Sequence, residues 1–256
     1  MAQLEIHQFP CLESNYVVLI CDPVTGVAAS IDAPEADAVR AALRETGWQL
    51  THILNTHHHW DHTDGNLPLK SETGCKIIGP KLEADRIPGI DAMVGDGDVF
   101  KFGSFEIKVL GTPGHTAGHI AYWVPAAGVA FVGDTLFAMG CGRIFEGTMA
   151  EMWSSIEKLA KLPPETMLYC GHEYTLANAR FSLTLEPGNE ALQSRVRHVE
   201  ALRSEGKPTL PVRLSDELAT NPFIRVNSPE IRKTLGMEAA SDAEVFAEIR
   251  ERKNHA

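Results

Sequence analysis

The first part of the chain alternates between two hydrophobic patterns. Short apolar runs divided by turn residues predict three strands at the edge of an antiparallel sheet, at Leu4–Phe9, Tyr16–Cys21 and Val27–Ile31. The next segment, Pro34–Thr46, has apolar residues at helical spacing and stops before Gly47, so it predicts a helix. The apolar run His52–Asn55 then predicts a short buried strand.

The same two patterns continue along the rest of the chain, but unevenly. Further strands are predicted at Lys76–Gly79, Val99–Phe102, Phe105–Leu110, His119–Val124, Val129–Val132 and Met167–Cys170. Further helices are predicted at Lys81–Arg86, Met149–Leu162, Ala191–Ser204, Pro229–Leu235 and Asp242–Arg252. No strand is predicted after Tyr174. The pattern therefore indicates two groups of strands with flanking helices, followed by a helical appendix.

Composition narrows the classes of protein that fit this pattern. With 256 residues, 44% of them hydrophobic, the chain can form one large domain or one with a smaller appendix. A net charge of −11 opposes binding to nucleic acid or to anionic membranes. No run has the length of a membrane span, and Met1–Pro10 has no basic signal region, so we expect a soluble cytoplasmic protein. The cysteines, five in number and without a C-x-x-C pair, indicate reduced thiols.

A metal site is indicated by Thr56–His62, which places four imidazoles and one carboxylate directly after the strand predicted at His52–Asn55. In extended backbone, His57 and His59 would project to one side and His58 to the other. Asp61 and His62 lie further along the turn and could serve a second metal. The alternatives are a solvated histidine-rich loop or an expression tag, but a tag would lie at a terminus.

Three more strand ends carry side chains of the same chemical type. His115 lies in Gly-Thr-Pro-Gly-His, Asp134 in Gly-Asp-Thr and His172 in Cys-Gly-His, and each follows a predicted strand. The glycines before them allow the backbone to approach a site closely. The remaining lone histidines are interpreted as structural, namely His7, His52, His119 and His198.

Taken in order, these motifs resemble those of the metallo-β-lactamase-fold hydrolases, and within them the glyoxalase II (hydroxyacylglutathione hydrolase) family. The resemblance extends through Cys141–Thr148 and Asn221–Arg225, so it covers essentially the whole chain. It implies an α/β (α+β) fold, a four-layer αββα metallo-β-lactamase sandwich with a C-terminal helical appendix. The implied domains are a metallo-hydrolase domain at 1–173 and a helical substrate-binding domain at 174–256.

The resemblance also implies a centre with two divalent metal ions. His57, His59 and His115 would hold the first ion, Asp61, His62 and His172 the second, and Asp134 would bridge them. Zinc is the expected metal, with iron and manganese as alternatives, because imidazole and carboxylate accept all three. Asp61 and Asp134 would also be catalytic, because they orient a metal-bridging hydroxide that attacks the substrate carbonyl.

The substrate implied by the resemblance is a glutathione thioester, S-D-lactoylglutathione, hydrolysed to D-lactate and glutathione in methylglyoxal detoxification. A thiol with a pKa of about 8.5 can leave as thiolate without a general acid, so the predicted site is sufficient for a thioester. The residues implied to bind glutathione are Arg143, Phe145, Tyr174, Arg250 and Lys253.

Two of these positions depart from the family pattern, which often has Lys at 143 and Tyr at 145. Loss of the phenol hydroxyl at Phe145 would remove one hydrogen bond, worth about 0.5–1.5 kcal/mol. An alternative for Arg250 and Lys253 is the solvated face of a terminal charged helix.

Other functions remain open for the same motifs. A different thioesterase or a mono-iron persulfide dioxygenase could use this fold, and a catalytically silent metal-binding or scaffold protein could retain the ligands. An RNA-processing nuclease is disfavoured by the acidic charge. The expected partner is a small-molecule thioester, with no nucleic acid and no membrane, and the resemblance implies a monomer.

Overall fold

The computed structural model describes residues 3–256, which form two compact units. The first unit contains the residues up to Gly111 and the segment Thr116–Gly133. The second contains Thr112–His115 and Asp134–Ala256. This division differs from the predicted boundary between residues 173 and 174, which stays a prediction.

The first unit contains a sheet whose strands follow one another in chain order. They are β1 (Glu5–Cys11), β2 (Asn15–Cys21), β3 (Ala28–Ile31), β4 (Leu50–Leu54), β5 (Lys76–Pro80) and β6 (Ala92–Val94). The pairs β1–β2 and β2–β3 are antiparallel, which confirms the predicted antiparallel edge. From β3 onward the pairing is parallel. Parallel strands end at the same edge of a sheet, so residues that follow β3 and β4 become neighbours.

Helices connect the parallel strands: α1 (Ala36–Thr46), α2 (Trp60–Thr63) and α3 (Asn66–Thr73), with a 3-10 turn at Lys81–Arg86. A second 3-10 turn, Pro125–Ala127, lies outside these connections. The α1 helix buries Val39 and Ala42 and ends at Gly47, whose left-handed backbone lets its N–H bond Leu43 O. It begins two residues after Pro34, because Glu35 still has extended backbone. The apolar core of this region includes Val39, Ile53 and Ile77.

The first unit also contains an antiparallel meander: β7 (Val99–Phe102), β8 (Phe105–Gly111), β9 (Ile120–Val124) and β10 (Val129–Gly133), in the order β10-β9-β8-β7. This confirms the hairpin-connected strands predicted there. The buried side chains of Ile107, Tyr122 and Phe131 belong to these strands.

The second unit is mainly helical. Its short strands are β11 (Leu136–Phe137), β12 (Gly140–Cys141), β13 (Met167–Cys170) and β14 (Val212–Arg213). Its helices are α4 (Met149–Ala160), α5 (Thr175–Leu185), α6 (Glu190–Ser204), α7 (Leu214–Thr220), α8 (Pro229–Leu235) and α9 (Asp242–Asn254). The prediction that no strand follows Tyr174 is wrong, because β14 pairs with β13 over two residues, too few to show a period. Within residues 3–256 no helix has both the length and the apolar character needed to cross a bilayer.

Polar side chains of the C-terminal helices hold the β11–β12 hairpin. At its tip Met139 has a left-handed backbone (φ 51°), and its N–H donates to Glu217 Oε2 at 2.8 Å. The amide of Asn221 donates to Phe137 O at 3.1 Å and to Gly140 O at 3.0 Å. Glu217 is fully buried and pairs with Arg195. The hairpin between Asp134 and Arg143 is therefore fixed by the helices of its own unit.

Candidate metal centre

The histidine loop arranges its side chains as the alternation predicts. His57 Nε2 and His59 Nδ1 are 3.1 Å apart, whereas His58 Nδ1 lies 2.6 Å from Glu83 Oε2. The other ring nitrogen of His57, Nδ1, is 3.0 Å from Thr56 Oγ1. Two imidazoles thus converge, and the one between them is directed elsewhere.

Asp32 orients this loop, and the sequence analysis did not identify it. It follows β3, is buried, and has a left-handed backbone (φ 57°). Its carboxylate accepts hydrogen bonds at 2.8 Å from the backbone N–H and from the hydroxyl of Thr56. Its Oδ2 also lies 2.8 Å from His62 Nδ1. A carboxylate on Nδ1 fixes the tautomer of His62 and leaves Nε2 as the nitrogen that could bind a metal. The sequence feature that could have identified Asp32 is its position directly after the strand predicted at Val27–Ile31.

The loop is also tied to neighbouring strands of the first unit. Tyr122 donates its hydroxyl to Asn55 O at 2.7 Å, and burial together with the charge of Asp32 raises the pKa of this phenol well above its ordinary value. The amide of Asn15 donates to the backbone O of Asp61 at 3.0 Å and to its Oδ2 at 3.2 Å. The same Oδ2 lies 3.8 Å from His62 Nε2. Asp61 is therefore held with its carboxylate beside His62.

In the second unit, one carboxylate lies between two imidazoles. Asp134 Oδ2 is 3.4 Å from His115 Nε2 and 3.2 Å from His172 Nε2, and all three residues are buried. His115 Nδ1 lies 2.8 Å from the carbonyl oxygen of Arg143, to which it donates, so Nε2 keeps its lone pair. The three residues come from separate strand ends, as predicted.

Close backbone approach beside Asp134 depends on a glycine. A Cβ at Gly142 would collide with the carbonyl oxygen of Asp134. The backbone N–H of Gly142 donates to Thr135 O at 3.1 Å. Since Arg143 follows directly, the contact also places the carbonyl that His115 uses. A larger residue at 142 would displace the side chains of Asp134 and His115.

Aromatic rings border two of the histidines. Tyr174 stacks on His172 with ring centroids 4.8 Å apart and planes 3° apart, and Phe137 packs edge-on against Tyr174 at 5.3 Å. Phe145, 62% exposed, lies 5.2 Å from the ring of His115. Two of the predicted substrate residues therefore lie beside predicted metal ligands of the same unit.

The three predicted glutathione-binding cations differ in exposure. Arg250 is buried, and its Nη1 donates to Cys141 O at 2.8 Å, so the alternative of a solvated helix face is wrong for this residue. Lys253 is half-buried, with Nζ over the ring of Phe181. Burial, reinforced by Arg250 and Arg143, lowers the pKa of the Lys253 ammonium. Arg143 is exposed. Because both arginines act on the Lys253 ammonium, the three form a positive region on an acidic chain.

The donor set fits divalent metal ions. Seven residues belong to groups of histidine and aspartate that could hold a metal: His57, His59, Asp61, His62, His115, Asp134 and His172. Neutral imidazole and carboxylate are the ligands of zinc, iron and manganese centres in proteins. Two of the imidazoles have their Nδ1 engaged by an acceptor, as ligands to metals commonly do.

Comparisons with known proteins agree with this chemistry. Residues 15–172 match the model of the metallo-beta-lactamase superfamily, and residues 173–256 match the hydroxyacylglutathione hydrolase C-terminus. A hydroxyacylglutathione hydrolase from Methylococcus capsulatus is 55% identical over 98% of this chain and 98% of its own length.

Solved structures show the same fold. ETHE1 from Myxococcus xanthus has a TM-score of 0.70 at 26% identity, covering 98% of this chain and 91% of that one. TTHA1623, solved in a di-iron-bound form, has a TM-score of 0.57 at 25% identity, covering 66% and 92%. The fold is that of the metallo-β-lactamases, with a C-terminal helical part. The chain is a metal-binding hydrolase that belongs to the hydroxyacylglutathione hydrolase family.

Proposed function

We propose that this chain hydrolyses S-D-lactoylglutathione to D-lactate and glutathione, a step of methylglyoxal detoxification. The observation that carries the proposal is the match of residues 173–256 to the hydroxyacylglutathione hydrolase C-terminus. The match of residues 15–172 is to a whole superfamily, so it indicates the metal chemistry without the substrate. We also propose the matching domain roles: residues 1–173 as the metallo-hydrolase domain and 174–256 as the substrate-binding domain.

Seven side chains are proposed to hold two divalent cations. His57, His59 and His115 would bind one, Asp61, His62 and His172 the other, and Asp134 both. Such cations would supply Lewis acidity and lower the pKa of bound water to about 7. Zinc is the proposed metal, with iron and manganese as alternatives. The di-iron-bound form of TTHA1623 supports a two-metal centre in this fold.

The residues of the chain have separate tasks in this reaction. Asp32 holds Nδ1 of His62, and the carbonyl of Arg143 holds Nδ1 of His115, so both Nε2 atoms are available as ligands. Asp61 and Asp134 would accept hydrogen bonds from the attacking water and orient its oxygen toward the thioester carbonyl carbon. The water oxygen would bond to the carbonyl carbon and give up one proton to solvent. The C–S bond would then break, and glutathione would leave as a thiolate that takes a proton from solvent.

Glutathione carries two carboxylates, and the cations of the second unit suit them. Arg143 is exposed and Lys253 half-buried, so both can reach a ligand. The buried Nε of Arg250 has no hydrogen-bond partner among the described residues, so one donor remains for a ligand or water. Tyr174 and Phe145 would provide apolar contacts beside His172 and His115.

We propose further that the protein is a cytoplasmic monomer that binds neither nucleic acid nor membrane. The net charge of −11 and the free, buried cysteines support this. Light scattering of the purified protein tests the oligomeric state, and a dimer would contradict it.

The activity is tested with purified, zinc-loaded protein and S-D-lactoylglutathione, by following thiol release and assaying D-lactate enzymatically. We expect metal-dependent turnover that a chelator abolishes. Asp134→Ala should lose both activity and full metal occupancy. Asp98→Ala is the matched control, because this exposed loop carboxylate accepts a hydrogen bond from Gly95 N. An active Asp134→Ala enzyme would contradict the bridging role.

Metal analysis and a second substrate separate the alternatives. One equivalent of iron per chain, with turnover of a glutathione persulfide and none of the thioester, would favour the dioxygenase. Two equivalents without any turnover would favour a catalytically silent metal-binding protein. If Arg143 and Lys253 bind carboxylates, Ala at both positions should raise KM for the glutathione thioester and leave KM unchanged for a neutral thioester without glutathione.

A further inference from the structure

Glu83 is a buried carboxylate directed at the histidine loop. It lies in the 3-10 turn Lys81–Arg86 that follows β5, and it is 2% exposed. Its Oε2 accepts from the backbone N–H of His58 at 2.9 Å and lies 2.6 Å from Nδ1 of the same residue. Its Oε1 accepts from the backbone N–H of Gly118 at 2.7 Å. One carboxylate therefore joins two separate segments of the first unit.

Both segments border the ring of His57. His58 connects His57 to His59, and fixing its backbone and its imidazole determines the side from which its two neighbours project. Gly118 precedes His119, whose ring lies 4.9 Å from that of His57. The contacts of Glu83 thus define the backbone on two sides of one predicted ligand.

The contact at Gly118 leaves little freedom. A Cβ there would lie 2.7 Å from Glu83 Cγ and 2.8 Å from Leu82 Cβ. The 3-10 turn and the strand entry at Gly118 are consequently in direct van der Waals contact, and the carboxylate cannot shift without moving one of them. A buried carboxylate is unfavourable unless it is well hydrogen-bonded, so simple filling of this space would be better served by an apolar side chain.

We propose that Glu83 is a positioning residue for the metal-binding loop: it holds His58 so that the ring nitrogens of His57 and His59 converge on one metal ion. This gives His58 a role that does not involve ligation. The inference rests on the proposed function of His57 and His59 as metal ligands.

The test measures metal affinity of the full chain. Protein stripped with a chelator is titrated with zinc against a chromophoric competitor, for wild type, Glu83→Gln and Glu186→Gln. Glutamine keeps the shape of Glu83 but presents an NH2 group where donors now point. Glu186 is the matched control, because it is similarly buried and accepts from Arg225 and Ser228 in the second unit.

Removing a partner that orients a metal ligand typically weakens metal binding about 10–100-fold. We expect Glu83→Gln to lose zinc affinity by a factor in this range for one zinc equivalent. Glu186→Gln should bind as wild type does. Cobalt-loaded Glu83→Gln should also show an altered visible spectrum, which a loss of fold stability alone would not produce. Gly118→Ala would displace Glu83 from the other side and should weaken zinc binding in the same way. It provides the test if Glu83→Gln does not fold.

Wild-type zinc affinity in both Glu83→Gln and Gly118→Ala would overturn the positioning role. An equal loss in Glu186→Gln would overturn it too, because the effect would then be a general consequence of removing a buried charge. The readout does not depend on thioester hydrolysis, so a wild type that binds two metals and turns nothing over would refute the proposed activity and leave this inference standing.

Discussion

Replacing Asp32 by asparagine should separate metal affinity from folding in the first unit. The carboxylate of Asp32 has three partners at 2.8 Å: Thr56 N, Thr56 Oγ1 and His62 Nδ1. Asparagine has a similar shape and tolerates the left-handed backbone at this position (φ 57°). Its Oδ1 can still accept from Thr56, but its amide nitrogen cannot accept from His62 Nδ1.

The magnitude follows from the bond that is lost. A hydrogen bond to a charged group contributes about 1.5–3 kcal/mol, and loss of a partner that orients a metal-binding histidine lowers affinity about 10–100-fold. We therefore expect Asp32→Asn to bind one of the two proposed zinc ions about 10–100-fold more weakly. Asp32→Ala leaves the donors of Thr56 and His62 without their acceptor, so it should also destabilise the metal-free protein by about 3–5 kcal/mol.

The assay is a competition titration with zinc, combined with urea unfolding of the metal-free forms. Asp22→Asn is the matched control, since Asp22 is equally buried and accepts from Ser104 N at 2.7 Å and Thr25 Oγ1 at 2.8 Å, with no histidine partner among these bonds. If Asp32→Asn keeps wild-type affinity for both ions, Asp32 does not orient His62 for a metal.

Three further predictions concern the second unit. Burial raises the pKa of the Cys141 thiol to about 11, although Arg250 acts in the opposite direction. The neutral thiol should therefore stabilise the metal-free protein fully below pH 9, and the free energy of unfolding should fall by at most about 3 kcal/mol as pH rises toward 11. Cys141→Ala should flatten that slope in urea unfolding, and an unchanged slope would contradict it. Glu217→Ala should lower the free energy of unfolding by about 3–5 kcal/mol because it leaves the partly buried Arg195 and the buried Met139 N without their acceptor, whereas Glu230→Ala near the surface should cost under 1 kcal/mol. Tyr174→Ala should raise KM about 2–10-fold while Tyr174→Phe, which keeps the stack on His172, should not; equal effects would show that the hydroxyl matters instead.

The side chains that form possible metal-binding groups could be predicted from the sequence because their signals are local. His57 and His59 are two residues apart, and the period of an extended chain alone accounts for their convergence. His115, Asp134 and His172 each follow a strand, and strand ends are where open sheets keep functional groups. The two carboxylates that accept hydrogen bonds from the histidine loop were not predicted, since Asp32 is 24 positions from Thr56 and Glu83 is 25 from His58. Only the pairing of β3 with β4, and the turn after β5, bring these partners together.

The short elements were missed for a different reason. Helix α2 has four residues and β14 has two, so each covers only about one period of its pattern and shows no repeat. Helix α5 is longer, but six of its residues are buried and its polar residues Asn178 and Ser182 face inward, where they bond Ala138 O and Met139 O. A helix that buries polar groups against a hairpin has no amphipathic stripe to detect.

The charged residues at the end of helix α9 lie in two different environments. Residues 250 and 253 are three apart and therefore share one face of α9, whereas Arg252 lies off that face and pairs with Glu248 near the surface. Arg250 already uses Nη1 for Cys141 O, whereas Lys253 has a 3.3 Å hydrogen bond to Ala177 O and a cation–π contact with Phe181. Lys253 can therefore exchange its partner for a carboxylate at small cost, while Arg250 cannot leave the hairpin without exposing a buried carbonyl. We therefore expect Lys253, together with the exposed Arg143, to be the part of this positive region that adapts to the proposed substrate, and Arg250 to supply a fixed positive charge.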